Sequence, residues 1–134
     1  MHFETRAIHT AAEPDESTGA IAPPLHLSTT FQRSAADGQP AHGYSYVRDA
    51  NPTQDRLEET LAAIDSAEAA LAFGSGMAAV SALFQSLPSG SHVVLPEDGY
   101  YAIRTLADDF FPRWGLTYDY VLMADLEAVR RAMR

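Results

Sequence analysis

From residue 51 onward the hydrophobic positions recur at helical spacing, and short apolar runs separate the helical stretches. Asn51-Pro52-Thr53-Gln54 opens the first helix. Asn51 suits an N-cap, Pro52 the first helical position, and Gln54 can complete a capping box. Leu57, Leu61 and Ile64 follow at i, i+4 and i+7, one apolar stripe that should end near Asp65 or Ser66. Ala69 to Phe73 is a short apolar run, read as a strand. Met77, Val80, Phe84 and Leu87 predict a second helix, closed by Pro88-Ser89-Gly90. His92 to Leu95 reads as a strand. Ile103, Leu106 and Phe110 predict a helix ending before Pro112 or Gly115, and Thr117 to Val121 is rich in strand formers. Leu126, Val129 and Met133 predict a last helix running to Arg134. Alternating helices and strands argue for an α/β fold with a mainly parallel sheet.

Residues 1–45 break this pattern. Pro14, Pro23, Pro24 and Pro40 alternate with Gly19, Gly38 and Gly43, which punctuate loops and extended segments. Leu25 to Phe31 could form a short strand. The whole segment reads as an arm rather than a core, and long ordered loops tend to be functional or to contact a partner.

Composition narrows the classes of function. The 134 residues are 46% hydrophobic and 20% charged, which suits a globular domain. A net charge of -9 disfavours nucleic acid and anionic membrane surfaces. There is no cysteine, hence no disulfide, thiolate metal site or cysteine nucleophile. No signal peptide or membrane-length apolar run is visible, so a cytoplasmic protein is expected. His2, His9, His26, His42 and His92 show no metal-ligand spacing and read as surface or packing residues. All nine basic residues are arginine. Chemistry that needs a lysine amine must therefore find it outside these residues.

Three places could carry chemistry. Phe73-Gly74-Ser75-Gly76-Met77-Ala78-Ala79 joins an apolar run to a helix start through two glycines. Free N–H groups and the helix dipole favour an anion there, and glycine lets a phosphate approach the backbone. A plain tight turn is equally open. The turn is neither a P-loop nor G-x-G-x-x-G, since Ala79 takes the third glycine's place. Tyr46 and Arg48, two apart, would face one side of an extended chain and suit a phosphate dianion. Spacing alone favours an exposed Arg paired with an Asp, beside a surface-packed Tyr. Tyr100 follows the strand His92 to Leu95, where ligands of open α/β sheets collect. Its ring could stack on a flat cofactor, although a core or interface tyrosine is the plainer reading.

The order and spacing of these elements resemble the trans-sulfuration (Cys/Met metabolism) family of fold-type-I enzymes that use pyridoxal 5′-phosphate (PLP). That family includes cystathionine γ-synthase, cystathionine lyases and methionine γ-lyase. The stretches that carry the resemblance are Ala22-Pro23-Pro24-Leu25-His26-Leu27-Ser28-Thr29-Thr30-Phe31, Tyr46-x-Arg48-x-x-Asn51-Pro52-Thr53, Leu57-Glu58, Ser75-Gly76-Met77-Ala78-Ala79 and Asp98-x-Tyr100. Together they span nearly the whole chain. The resemblance implies a three-layer α/β/α fold, with 1–45 as an arm contacting the neighbouring subunit and 46–134 as an incomplete N-terminal portion of the large PLP-binding domain. It implies that the Gly76 and Met77 amides hold the cofactor phosphate and that Tyr46 and Arg48 reach it from the neighbouring subunit. Tyr100 would stack on the pyridine ring and assist proton transfer. It also implies a homo-oligomer, a dimer of shared sites and usually a tetramer. The expected activity is a lyase or transferase acting on sulfur-containing amino acids such as cystathionine, homocysteine, methionine or activated homoserine.

The sequence departs from the family pattern twice. Tyr100 is followed by Tyr101-Ala102-Ile103 where the family has two glycines and a hydroxyl residue, which suggests a narrower mouth to the site. The family's Schiff-base lysine, pyridine-nitrogen aspartate and substrate-carboxylate arginine all lie C-terminal to the matching stretches. The chain is therefore expected to be a truncated piece, half of a split enzyme, or a remnant, without activity on its own. Two alternatives stand beside catalysis: a non-catalytic subunit that oligomerises with a full-length homologue, and a stand-alone phosphate-ligand binder using the Gly76 turn.

Overall fold

The computed structural model describes residues 2–134. They divide into two compact units, Met1–Ala72 and Phe73–Arg134.

In the first unit, helix α1 (Phe3–His9) packs on helix α2 (Pro52–Asp65). The sequence pattern does not announce α1. It spans only seven residues and His2 makes no side-chain cap bond, so it depends on tertiary contact. Arg6 Nη1 supplies one such contact, donating to Ser66 Oγ at 2.8 Å. Helix α2 starts where expected: Asn51 Oδ1 accepts from Thr53 N at 2.8 Å, with Pro52 in the first turn. The capping box does not form, because the Gln54 amide donates to Glu58 Oε1 instead. The stripe on α2 stays open, with Leu57 and Leu61 exposed and only Ala62 buried.

Leu25 to Phe31 does not form a strand. Only Thr30 pairs, in an isolated antiparallel bridge to Tyr46, and a second bridge joins Arg33 to Pro40. Residues 29–47 thus double back as an irregular hairpin. The expected strand Ala69 to Phe73 is also absent. The Ala72 amide donates to Glu58 Oε1 at 2.8 Å, a side-chain acceptor rather than a strand neighbour.

The second unit is a right-ordered alternation of helix α3 (Gly76–Gln85), strand β1 (His92–Pro96), helix α4 (Tyr101–Trp114), strand β2 (Thr117–Val121) and helix α5 (Leu126–Ala132). The strands pair in parallel with His92 opposite Thr117 and Pro96 opposite Val121. Alternation sends Leu95, Tyr118 and Tyr120 toward the α4 core, where Ala107 and Phe111 are fully buried. Phe111 meets Phe84 edge-on at 4.7 Å and Tyr118 at 5.6 Å. Helix α4 runs through Pro112 and stops before Gly115, the second of the two expected ends. Proline there removes one hydrogen bond near the helix end, and the helix closes three residues later at Gly115, left-handed at φ 75°. Helix α5 ends at Ala132, short of the last residue. His92, expected as a surface or packing residue, packs: its side chain is largely buried and Nδ1 lies 2.9 Å from Thr117 Oγ1. No described helix is long and apolar enough to cross a membrane.

Candidate active site

Tyr46 and Arg48 come together, by a different geometry from the expected one. The chain does not run straight through them. Asp49 N donates to Tyr46 O at 2.9 Å, closing a turn. Arg48 folds back, with Cζ 4.4 Å from the Tyr46 ring centroid and Nη1 donating to the Tyr46 hydroxyl at 3.0 Å. Among the described residues Arg48 has no carboxylate partner. The plainer expectation of an Arg–Asp pair therefore fails. The Tyr46 oxygen accepts from Arg48, which leaves its O–H and the remaining guanidinium N–H groups free to donate outward. This is a donor set for an anion.

Ser75 caps α3, accepting from Ala78 N at 3.1 Å, and Ala79 N donates to Ser75 O. The Gly76 and Met77 amides have no acceptor among the described residues. A Cβ built at Gly76 meets nothing within 4 Å, and its φ is not in the left-handed region. Neither packing nor backbone conformation requires glycine here. A ligand lying against the bare backbone would, so the turn fits a phosphate.

Tyr100 stands immediately before α4 with 60% of its surface exposed, so it is not a core tyrosine. The turn that presents it depends on Gly99, since a Cβ there would lie 2.9 Å from Pro96 Cγ. Tyr101 braces the Tyr100 ring edge-on at 5.0 Å. An apolar pocket of about 140 Å³ lies beside it, walled by Val80, Leu83 and Phe84 of α3 and by Tyr100 and Ile103. The middle and C-terminal end of α3 and the first turn of α4 share that pocket. Tyr101, Ala102 and Ile103 form the first turn of α4, and Ile103 packs against the core. These residues favour the helix that glycines would weaken.

Two side chains with local roles were not legible as such. Glu58, one of the residues that carry the family resemblance, receives the Ala72 amide and the Gln54 amide, which together hold its carboxyl below the usual range. Tyr44 donates to Asp55 Oδ2 at 2.6 Å, and that bond holds its phenol above the usual range. The Tyr44–Asp55 and Ala72–Glu58 contacts span many residues of chain, and no local pattern signals them, whereas Gln54 and Glu58 stand at the local i, i+4 spacing.

Residues 4–134 match the family described as Cys/Met metabolism PLP-dependent enzyme. The chain belongs to this family, and its fold is that of the fold-type-I PLP enzymes. It is 44% identical over 130 residues to a cystathionine gamma-synthase of Mycobacterium bovis, covering 96% of this chain and 33% of that protein. It is 35% identical over 132 residues to the cystathionine beta-lyase MetC of Bacillus subtilis, covering 98% of this chain and 33% of that one. The crystal structure of metB from Corynebacterium glutamicum superposes with a TM-score of 0.91 at 40% identity, over 100% of this chain and 35% of the other. A cystathionine gamma-lyase from Lactobacillus plantarum, complexed with L-serine, gives 0.87 at 34% identity, over 100% and 34%. The chain spans about a third of the length of these relatives.

Proposed function

We propose that residues 1–134 belong to a PLP-dependent lyase or transferase that works by β- or γ-elimination or γ-replacement on sulfur-containing amino acids. The observation that carries this reading is the pair of unsatisfied anion-binding sets. One is the Tyr46–Arg48 pair without a carboxylate; the other is the Gly76–Met77 amides facing open space. The Gly76 and Met77 amides would donate to the cofactor phosphate along the α3 dipole. Tyr46 and Arg48 would donate to the phosphate of a neighbouring subunit's site, Arg48 as a fork and Tyr46 through its free hydroxyl proton. Tyr100 would lay its exposed ring on the pyridine face and use its phenol to hold or pass a proton. When bound, PLP supplies an electron sink for reaction at the substrate Cα. The chain contains no lysine, so the amine that holds the cofactor covalently must come from residues outside this sequence.

The arm reading, residues 1–45 against a neighbouring subunit, draws support from the extended segment where Ile21, Leu25 and Leu27 lie exposed. Assembly as a homo-oligomer follows from it. The test is full-length protein purified with PLP. A visible cofactor absorption band and release of ketoacid or thiol from cystathionine are expected; absence of both overturns the catalytic reading.

The absence of lysine favours a second reading, a non-catalytic subunit that binds an intact homologue. Co-expression would then give a mixed oligomer whose activity depends on Tyr46 and Arg48. Failure to co-purify removes it.

A further inference from the structure

The loop bearing Tyr46 and Arg48 is tied at both ends to the first turns of α2. After the loop, Asn51 is 5% exposed; it caps α2 through Thr53 N, and its Nδ2 donates to His26 O at 3.2 Å. Before the loop, the Tyr44 hydroxyl donates to Asp55 Oδ2 at 2.6 Å. The Tyr44 ring also leans on Phe31, with centroids 5.4 Å apart. Arg33 steadies the same strand segment, donating to Ser45 Oγ at 2.7 Å and to Gly38 O at 2.9 Å. Without the Tyr44 bond, the residues entering the turn would be held by the hairpin, with its bridges Thr30–Tyr46 and Arg33–Pro40, and by Arg33, with no tie to α2 on that side.

We infer that Tyr44 and Asp55 are positioning residues: their bond fixes the entry to the turn so that Tyr46 and Arg48 present one preorganised donor set to the anion. This rests on the reading of Tyr46 and Arg48 as phosphate ligands. The physical ground is that a donor set held in place before binding loses less conformational freedom when the anion arrives. A carboxylate acceptor makes the bond stronger than one between neutral groups. The raised proton affinity of Tyr44 agrees with a bond that persists across the neutral range.

The test compares pyridoxine 5′-phosphate with pyridoxine, two ligands that differ only in the phosphate and need no lysine. Binding is measured on the full-length protein in its native oligomer, with circular dichroism as a check on folding. Tyr44→Phe keeps the ring against Phe31 and removes the bond. It should raise the Kd for pyridoxine 5′-phosphate by about tenfold and leave pyridoxine unchanged, the size expected for one lost hydrogen bond. Asp55→Asn retains an acceptor oxygen and should lose less, and it serves if Tyr44→Phe folds poorly. Added to Arg48→Ala, Tyr44→Phe should cost less than it does in the wild-type background, because part of its effect runs through that residue and the rest through Tyr46. If Arg48→Ala selectively weakens the phosphate ligand while both Tyr44→Phe and Asp55→Asn leave it unchanged, or weaken both ligands alike, the inference is overturned and the phosphate reading stands. If Arg48→Ala is itself unselective, both fall together.

Discussion

Gly115 and Gly76 are the same residue type under opposite constraints. Gly115 ends α4 at φ +75°, and a Cβ there would lie 2.1 Å from Ser89 Oγ. Its carbonyl also receives the Gly90 amide at 2.7 Å. Gly115→Ala should destabilise the fold by about 2 kcal/mol, from left-handed strain and displacement of Ser89, read as a lower denaturant midpoint. Gly76 has open space and ordinary φ. Gly76→Ala should leave stability unchanged or raise it by up to about 1 kcal/mol, since alanine suits a helix better. The same change should weaken pyridoxine 5′-phosphate binding, because the new methyl occupies the phosphate's approach. Loss of stability with unchanged binding would reverse the assignment of this turn. The turn itself was legible in the Gly-Ser-Gly spacing. Which glycine serves the backbone and which serves a ligand was not, because that depends on atoms distant in sequence.

Helix α4 and strand β2 are joined by a polar bolt that period and propensity do not reveal. Asp108 Oδ1 accepts from the Tyr118 hydroxyl at 2.8 Å and from the Tyr120 hydroxyl at 2.9 Å, with Arg104 O at 3.1 Å sharing the single Tyr120 proton. Desolvation, then the hydrogen bond to Asp108, pushes the Tyr120 phenol up to about 12. A folded value above the ordinary 10.0 means stability is fully present below pH 10 and is lost as pH rises toward 12. Tyr120→Phe should flatten that alkaline loss in denaturation midpoints taken across the same window; an unchanged slope would show that another group drives it. Helices α2 to α5 and both strands were legible from apolar spacing, caps and breakers such as Asn51 and Gly115. The runs Leu25 to Phe31 and Ala69 to Phe73 looked equally strand-like. They fail because a strand requires a ladder partner, and the described backbone offers Thr30 one bridge and Ala72 only a carboxylate. Helix α1 was missed for the converse reason: its partner α2 stabilises what its own seven residues do not announce.

At the scale of the molecule, the first unit leaves apolar surface uncovered. Leu27 is 91% exposed, Ile21 and Leu25 nearly as much, and the α2 stripe adds Leu57 and Leu61. Scattered exposed leucines are ordinary, but three within one extended segment of seven residues mark a surface built to be covered. The arm reading assigns that cover to a neighbouring subunit. Leu25→Glu with Leu27→Glu places two carboxylates on a chain already at -9, so burial against a second copy would require desolvating them. The pair should shift the oligomer toward smaller species in sedimentation velocity while far-ultraviolet circular dichroism stays unchanged, since neither leucine contributes to a buried core. The same variant should weaken pyridoxine 5′-phosphate binding if Tyr46 and Arg48 serve a neighbour's phosphate, and the loss should diminish as protein concentration rises and mass action restores the oligomer. An oligomer that survives both carboxylates would place the subunit contact elsewhere and leave these leucines as surface.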